Sequence, residues 1–256
     1  MKKPKILEVT LRDGSYAIDF KFTARDTELI GRALEDVGFE MIEIGHGVGL
    51  GATKKGIGTA SETDETYMKV GAETFSHASW GMFCIPGIAE LADIDLAASY
   101  GMNFIRIGTD VTKVEESKKF IEKAKYHNMD VSANFMKSYA MNPKEFAQKA
   151  IVTQKFGTDI LCIVDSAGGM LTNEMEDYFH AVQDVCDIPL GFHGHNNLEL
   201  AVSNSIRAVE LGAVVVDTSL QGMGRSSGNT PTEIFISVME RNWAYPCSCK
   251  APSGTG

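Results

Sequence analysis

Eight short apolar runs, each followed by a polar or glycine-rich turn and then a helical pattern, set the limits on how this chain can fold. They are Ile6–Leu11, Met41–Gly45, Trp80–Ile85, Phe104–Gly108, Val131–Phe135, Ile160–Val164, Leu190–His193 and Val214–Ser219. Their starts lie about 24 to 39 residues apart, the repeat of a strand-plus-helix unit. The segments between them are amphipathic. In the seventh, Leu198, Ala201, Val202, Ser205, Ile206 and Val209 recur at steps of three and four, leaving Glu199, Asn204 and Arg207 outside. Gly38, Gly101, Gly157 and Gly212 each close a helical pattern, where a left-handed C-cap suits glycine. No linker-like or low-complexity stretch divides the chain. Eight such units predict an α/β protein with one closed (β/α)8, or TIM, barrel over residues 1–243 and a C-terminal tail over residues 244–256. A doubly wound open sheet is the alternative. It wants a phosphate-binding fingerprint after its first strand, where Leu11-Arg12-Asp13-Gly14 stands instead.

Composition excludes whole classes of partner. The 256 residues carry 24 basic and 34 acidic side chains, a net charge of −10, which argues against nucleic acid or an anionic membrane. No run approaches the roughly 18 apolar residues of a membrane span. Met1-Lys2-Lys3-Pro4-Lys5 has no apolar segment behind it, so no secretory signal is expected. Five cysteines, with Cys84 and Cys162 inside apolar runs and Cys247 and Cys249 as a C-x-C pair too small for a zinc site, fit a reducing cytoplasm.

In a barrel of this kind the active site lies at the C-terminal ends of the strands. His193-Gly194-His195 is the sharpest signal there. Residues i and i+2 of a strand share a side, so two imidazoles face one way. With Asp13 after strand one and Asn229 after strand eight, they form a mixed nitrogen and oxygen set suited to Mn²⁺ or Mg²⁺, with zinc and Fe²⁺ as further candidates. The bland alternative is a pair of metal-free, hydrogen-bonded histidines. Arg12, beside that ligand, can hold a carboxylate or stabilise an enolate oxygen, and Glu43 can orient it. Arg12 paired with Glu43 for charge alone is the plainer reading. Ser166, in Asp165-Ser166-Ala167-Gly168-Gly169, is suited to bind a substrate carboxylate, with glycine N–H groups turned to the same anion. It does not fit the G-x-S-x-G pattern of a serine nucleophile. His46 lies at the barrel mouth within the Gly45–Gly51 run. That run has no nucleotide-binding spacing and suits a substrate-covering loop.

These motifs, taken with Gly222-Met223-Gly224 and Gly228-Asn229, resemble the metal-dependent lyases related to 3-hydroxy-3-methylglutaryl-CoA lyase, the DRE-TIM metallolyases. Within that group the chain looks most like the 4-hydroxy-2-oxovalerate aldolases, over about residues 6 to 243. The resemblance implies that Asp13, His193 and His195 hold a divalent metal, with Asn229 as a further oxygen ligand. It implies a 2-oxo acid substrate bound at Arg12, Ser166 and His193, and retro-aldol cleavage to pyruvate and an aldehyde. Two departures stand out. The family's basic histidine is replaced by Tyr16, whose phenol is a poor base at neutral pH, which leaves His46 as a substitute. The chain also ends soon after Trp243, where the family carries an extension that docks a dehydrogenase, so a partner dehydrogenase is a doubtful expectation. A homo-oligomer is possible. The competing functions are a Claisen-type acyl-CoA condensing or cleaving enzyme, a metal-dependent hydrolase, and a non-catalytic barrel that binds 2-oxo acids. The hydrolase would want its H-x-H on strand one.

Overall fold

The computed structural model describes residues 3–243. Eight parallel strands close on themselves in chain order: β1 (Lys5–Glu8), β2 (Met41–Glu43), β3 (Ser79–Cys84), β4 (Phe104–Asp110), β5 (Asp130–Met136), β6 (Ile160–Asp165), β7 (Leu190–Gly194) and β8 (Val215–Thr218). Pairing of Ile6 with Val216 and Leu7 with Asp217 joins the first strand to the last. The eight outer helices are α1 (Ala24–Asp36), α2 (Asp64–Thr74), α3 (Leu91–Ser99), α4 (Lys118–Tyr126), α5 (Pro143–Gln154), α6 (Thr172–Gln183), α7 (Ala201–Glu210) and α8 (Thr232–Trp243). The expected (β/α)8 barrel is therefore the fold. The tail over residues 244–256 and the Cys247–Cys249 pair lie outside the described residues.

Several expected boundaries move, for physical reasons. The first run stops pairing at Glu8, because the N–H groups of Arg12 and Gly14 both turn back to the Val9 carbonyl. That turn releases Arg12 and Asp13 from the sheet into the barrel mouth. Leu198 falls outside α7 and is 52% exposed, so the apolar face of that helix begins at Ala201. The four helix-closing glycines all have the expected positive φ, between 77° and 98°.

Pleating divides the core in two. Outward-facing residues such as Ile42, Ile105, Ile107, Leu161, Ile163 and Phe192 pack beneath the helices. Inward-facing Leu7, Val9, Phe104 and Val215 fill the lower barrel. Above them the interior turns polar, with Glu43, Arg106, Asp217 and His193 each 4% exposed or less. Gly108 on β4 makes room for this change. A Cβ there would meet the Phe83 ring at 2.4 Å, and that ring carries the Arg12 guanidinium 4.6 Å above its centre. No helix among the described residues is long and apolar enough to cross a membrane. Among the described residues Cys84, Cys162 and Cys186 are free.

Candidate active site at the C-terminal mouth

Asp13 opens a 3₁₀ turn (Asp13–Ile18) directly after β1. His193 ends its side of β7, and His195 follows the strand, held by an isolated bridge to Asn229. The three side chains meet: one ligand atom from each lies within 4.8 Å of the others. His193 Nδ1 is 2.7 Å from Asp217 Oδ2, and His195 Nδ1 is 3.3 Å from the Gly228 carbonyl oxygen. Both acceptors fix the ring proton on Nδ1. The two Nε2 lone pairs then face each other at 3.4 Å with no proton between them. Such an arrangement repels unless a cation sits between the nitrogens, so the donor set fits a metal. Burial, followed by the neighbouring His193, pushes His195 down to about 4, which keeps its imidazole neutral and able to ligate. Burial alone would raise the Asp13 carboxyl. Arg12, the two imidazoles and the Asn229 donor outweigh it and hold the group ionised, well below the usual range.

The other expected residues divide into those that face the cavity and those that do not. A cavity of about 290 Å³ is lined by Arg12, Asp13, Tyr16, Ser166, His193 and His195, together with residues including Gly47, Asn134 and Arg225. Arg12 donates from Nε to Glu43 Oε2 at 2.7 Å and from Nη1 to Asp13 Oδ1 at 2.6 Å. Its Nη2 remains for an oxygen in the cavity. Ser166 Oγ accepts from the Lys137 N–H at 2.9 Å, so its own proton is free to be donated. Asn229 donates from Nδ2 to Asp13 Oδ2 at 2.8 Å, while its Oδ1 is buried without a partner. In this geometry Asn229 steadies Asp13. Burial raises the Tyr16 phenol.

His46 stands apart. Its ring stacks on Phe20 with centroids 4.1 Å apart, its Nδ1 accepts from the Val48 N–H, and its Nε2 lies against Gly58. Gly47 and Val48 of the same loop reach the cavity instead. The expected glycine anion nest is also absent. Asp165 fills it, accepting the Gly169 and Met170 N–H groups on its two carboxylate oxygens and the Gly168 N–H on its carbonyl.

Sequence reasoning missed four residues that shape the site. Arg106 donates from Nη1 to Glu43 Oε2 at 3.0 Å and from Nη2 to Asp217 Oδ2, linking the two carboxylates that position Arg12 and His193. Opposing charges at both ends outweigh burial and keep Arg106 cationic. The signal was a single charge inside each of two apolar strands, Phe-Ile-Arg-Ile and Val-Val-Asp-Thr. Asn134, its Oδ1 accepting from the Ser132 hydroxyl, lines the cavity. Arg225 sits on the β8–α8 loop. A cavity of about 300 Å³ at the opposite mouth is lined mainly by apolar groups such as Leu7, Met41, Phe104 and Val215, with Lys5, Arg106, Asp130 and Asp217 among its polar residues and no histidine in its lining.

Fold and site define a (β/α)8 barrel with a candidate divalent-metal triad at its C-terminal mouth. A family profile described as HMGL-like matches residues 3–248. The chain is 34% identical over 240 residues to the 4-hydroxy-2-oxovalerate aldolase of Carboxydothermus hydrogenoformans, covering 94% of this chain and 71% of that one. It is 35% identical over 237 residues to that of Geobacillus genomosp. 3, covering 93% and 70%. Among solved structures, the HMG-CoA lyase of Bacillus subtilis superposes with a TM-score of 0.78 at 19% identity, over 94% of this chain and 87% of that one. The carboxyl transferase domain of Rhizobium etli pyruvate carboxylase gives 0.81 at 16%, over 94% and 44%. At these identities the two structures speak for the fold. The chain belongs to the HMGL-like family.

Proposed function

We propose that this chain is a divalent-metal-dependent aldolase that interconverts a 4-hydroxy-2-oxo acid with pyruvate and an aldehyde. The observation that carries the reading is the pair of facing Nε2 lone pairs beside the Asp13 carboxylate. Kinship with 4-hydroxy-2-oxovalerate aldolases over more than nine-tenths of the chain supports it.

Asp13, His193 and His195 would hold the ion, Mn²⁺ or Mg²⁺. When bound, it supplies Lewis-acid withdrawal of electrons from the substrate's keto oxygen. Arg12, fixed by Glu43 and Asp13, offers Nη2 to the oxygen on which negative charge gathers as the C–C bond breaks. Ser166 and Asn134 donate to the substrate carboxylate from the β5–β6 side. Tyr16, kept protonated by burial, positions a water that takes the C4 hydroxyl proton in the cleaving direction and returns it to the aldehyde oxygen in the condensing direction. His46 reaches the reaction only by supporting the Gly47–Val48 turn. The three free cysteines among the described residues fit a cytoplasmic location.

Pyruvate release from 4-hydroxy-2-oxovalerate, followed with lactate dehydrogenase and NADH, tests the reading. Chelated protein should be inert and Mn²⁺ should restore turnover. Binding of metal and 2-oxo acid with no turnover would favour a non-catalytic barrel instead.

A further inference from the structure

Arg225 lines the cavity from a loop that is built to hold it in place. The Gly228 N–H returns to the Arg225 carbonyl, the Asn229 N–H to the Gly222 carbonyl, and Asn197 Nδ2 to Ser226 Oγ. Gly224 lets this loop lie directly on Asn229, since a Cβ there would stand 2.4 Å from Asn229 Nδ2. The Arg225 backbone N–H faces Asp13 Oδ2 at 3.4 Å, and its side chain reaches the Tyr16 hydroxyl. No carboxylate among the described residues pairs with its guanidinium, whereas Arg12 and Arg106 are each engaged by two. Arg225 is an exposed cation on the rim of the cavity, beside the candidate metal site and without a carboxylate partner, so its guanidinium is open to an anionic group of a ligand seated there.

The barrel says which end of the ligand that is. Asn134 lies on β5 and Ser166 directly after β6, and β5 stands across the closed barrel from β1. Tyr16 and Arg225, from the β1 and β8 loops, occupy the opposite wall. A 2-oxo acid whose C1 carboxylate meets Asn134 and Ser166 therefore extends its C4 end toward Tyr16 and Arg225. We infer that Arg225, beside Tyr16, selects substrates whose aldehyde half carries a carboxylate. This rests on the aldolase reading and names the substrate class for it. In the cleavage it implies, the C3–C4 bond breaks and its electron pair stays on C3. The C4 hydroxyl loses its proton and becomes the aldehyde carbonyl. C3 then takes up a proton to give pyruvate, and a C4 carboxylate leaves as part of a 2-oxo aldehyde acid such as glyoxylate.

The test compares kcat/KM for 4-hydroxy-2-oxoglutarate and for the neutral-ended 4-hydroxy-2-oxovalerate, by pyruvate release from the manganese-loaded chain. The native chain should prefer the dicarboxylate at least tenfold. Arg225→Gln should cut that preference by about 10- to 100-fold, the loss of one charge-assisted hydrogen-bonded contact, with the change in KM. Arg225→Lys should retain part of it. An equal fall for both substrates would place Arg225 on the shared C1 carboxylate and overturn the inference, as would equal use of the two by the native chain. Pyruvate from neither would defeat the aldolase reading itself.

Discussion

His193 Nδ1 lies 2.7 Å from Asp217 Oδ2, and that one contact decides which nitrogen of the ring is left for a cation. Asp217 is held ionised because Arg106 and His193 outweigh the cost of its burial. It can only accept, so His193 must donate from Nδ1 and present Nε2 to the cavity. Asp217→Asn breaks this assignment, since the amide can also donate to Nδ1. Mn²⁺ affinity should fall by about 10- to 100-fold, with the metal site otherwise intact. Titration calorimetry of Mn²⁺ into wild type and variant checks it; equal affinities would remove Asp217 from the account.

Arg106 ties that carboxylate to Glu43, which also holds Arg12. Glu43→Gln leaves two buried guanidinium groups sharing a neutral amide. The expected loss is about 3–5 kcal/mol in urea unfolding, the cost of breaking a buried ion pair from one side. The double variant Glu43→Gln/Arg106→Met removes one of the stranded charges as well. It should lose less than the two single variants added together, as read from a double-mutant cycle.

The strand pattern and the H-x-H pair were legible because alternation and residue type are local properties. The charged ladder was not. Arg106 is 63 residues from Glu43 and 111 from Asp217, so no window of sequence contains the pair that justifies either charge. His46 and Tyr16 looked interchangeable as polar residues near the mouth. Only packing separates them, because Phe20 covers one and the cavity receives the other. The Gly168-Gly169 stretch read as an anion nest, but the neighbouring Asp165 is itself the anion.

Gly47 shows the same dependence on packing. A Cβ there would stand 2.8 Å from two carbons of the Tyr16 ring and 2.9 Å from Phe20. Gly47→Ala must push Tyr16 out of place, at a cost of about 1–3 kcal/mol for overpacking. Turnover should fall further than stability implies. Tyr16→Ala introduced alongside should restore the melting temperature but leave activity low. Recovery of both would show that Tyr16 takes no part in the chemistry.

Glu8 gives the fold a pH dependence of its own. Burial raises its carboxyl to about 7, against hydrogen bonds from Thr10, Leu220 and Thr232. The folded chain thus holds this proton more tightly than the unfolded one. Its stabilising effect is complete below about pH 4.5 and is lost as pH rises through about 7, up to about 3 kcal/mol. The urea midpoint of wild type should fall from pH 5 to pH 8 by more than that of Glu8→Gln. Parallel curves for the two proteins would contradict the assignment.

The central claim is that Asp13, His193 and His195 share one cation. Mn²⁺ binding followed by electron paramagnetic resonance on chelator-stripped protein tests it most directly. The account predicts one tight Mn²⁺ per chain in wild type, and loss of that site in both His193→Ala and His195→Ala with the helical circular dichroism unchanged. Undiminished Mn²⁺ binding in the doubly substituted chain, or none in wild type, would contradict it.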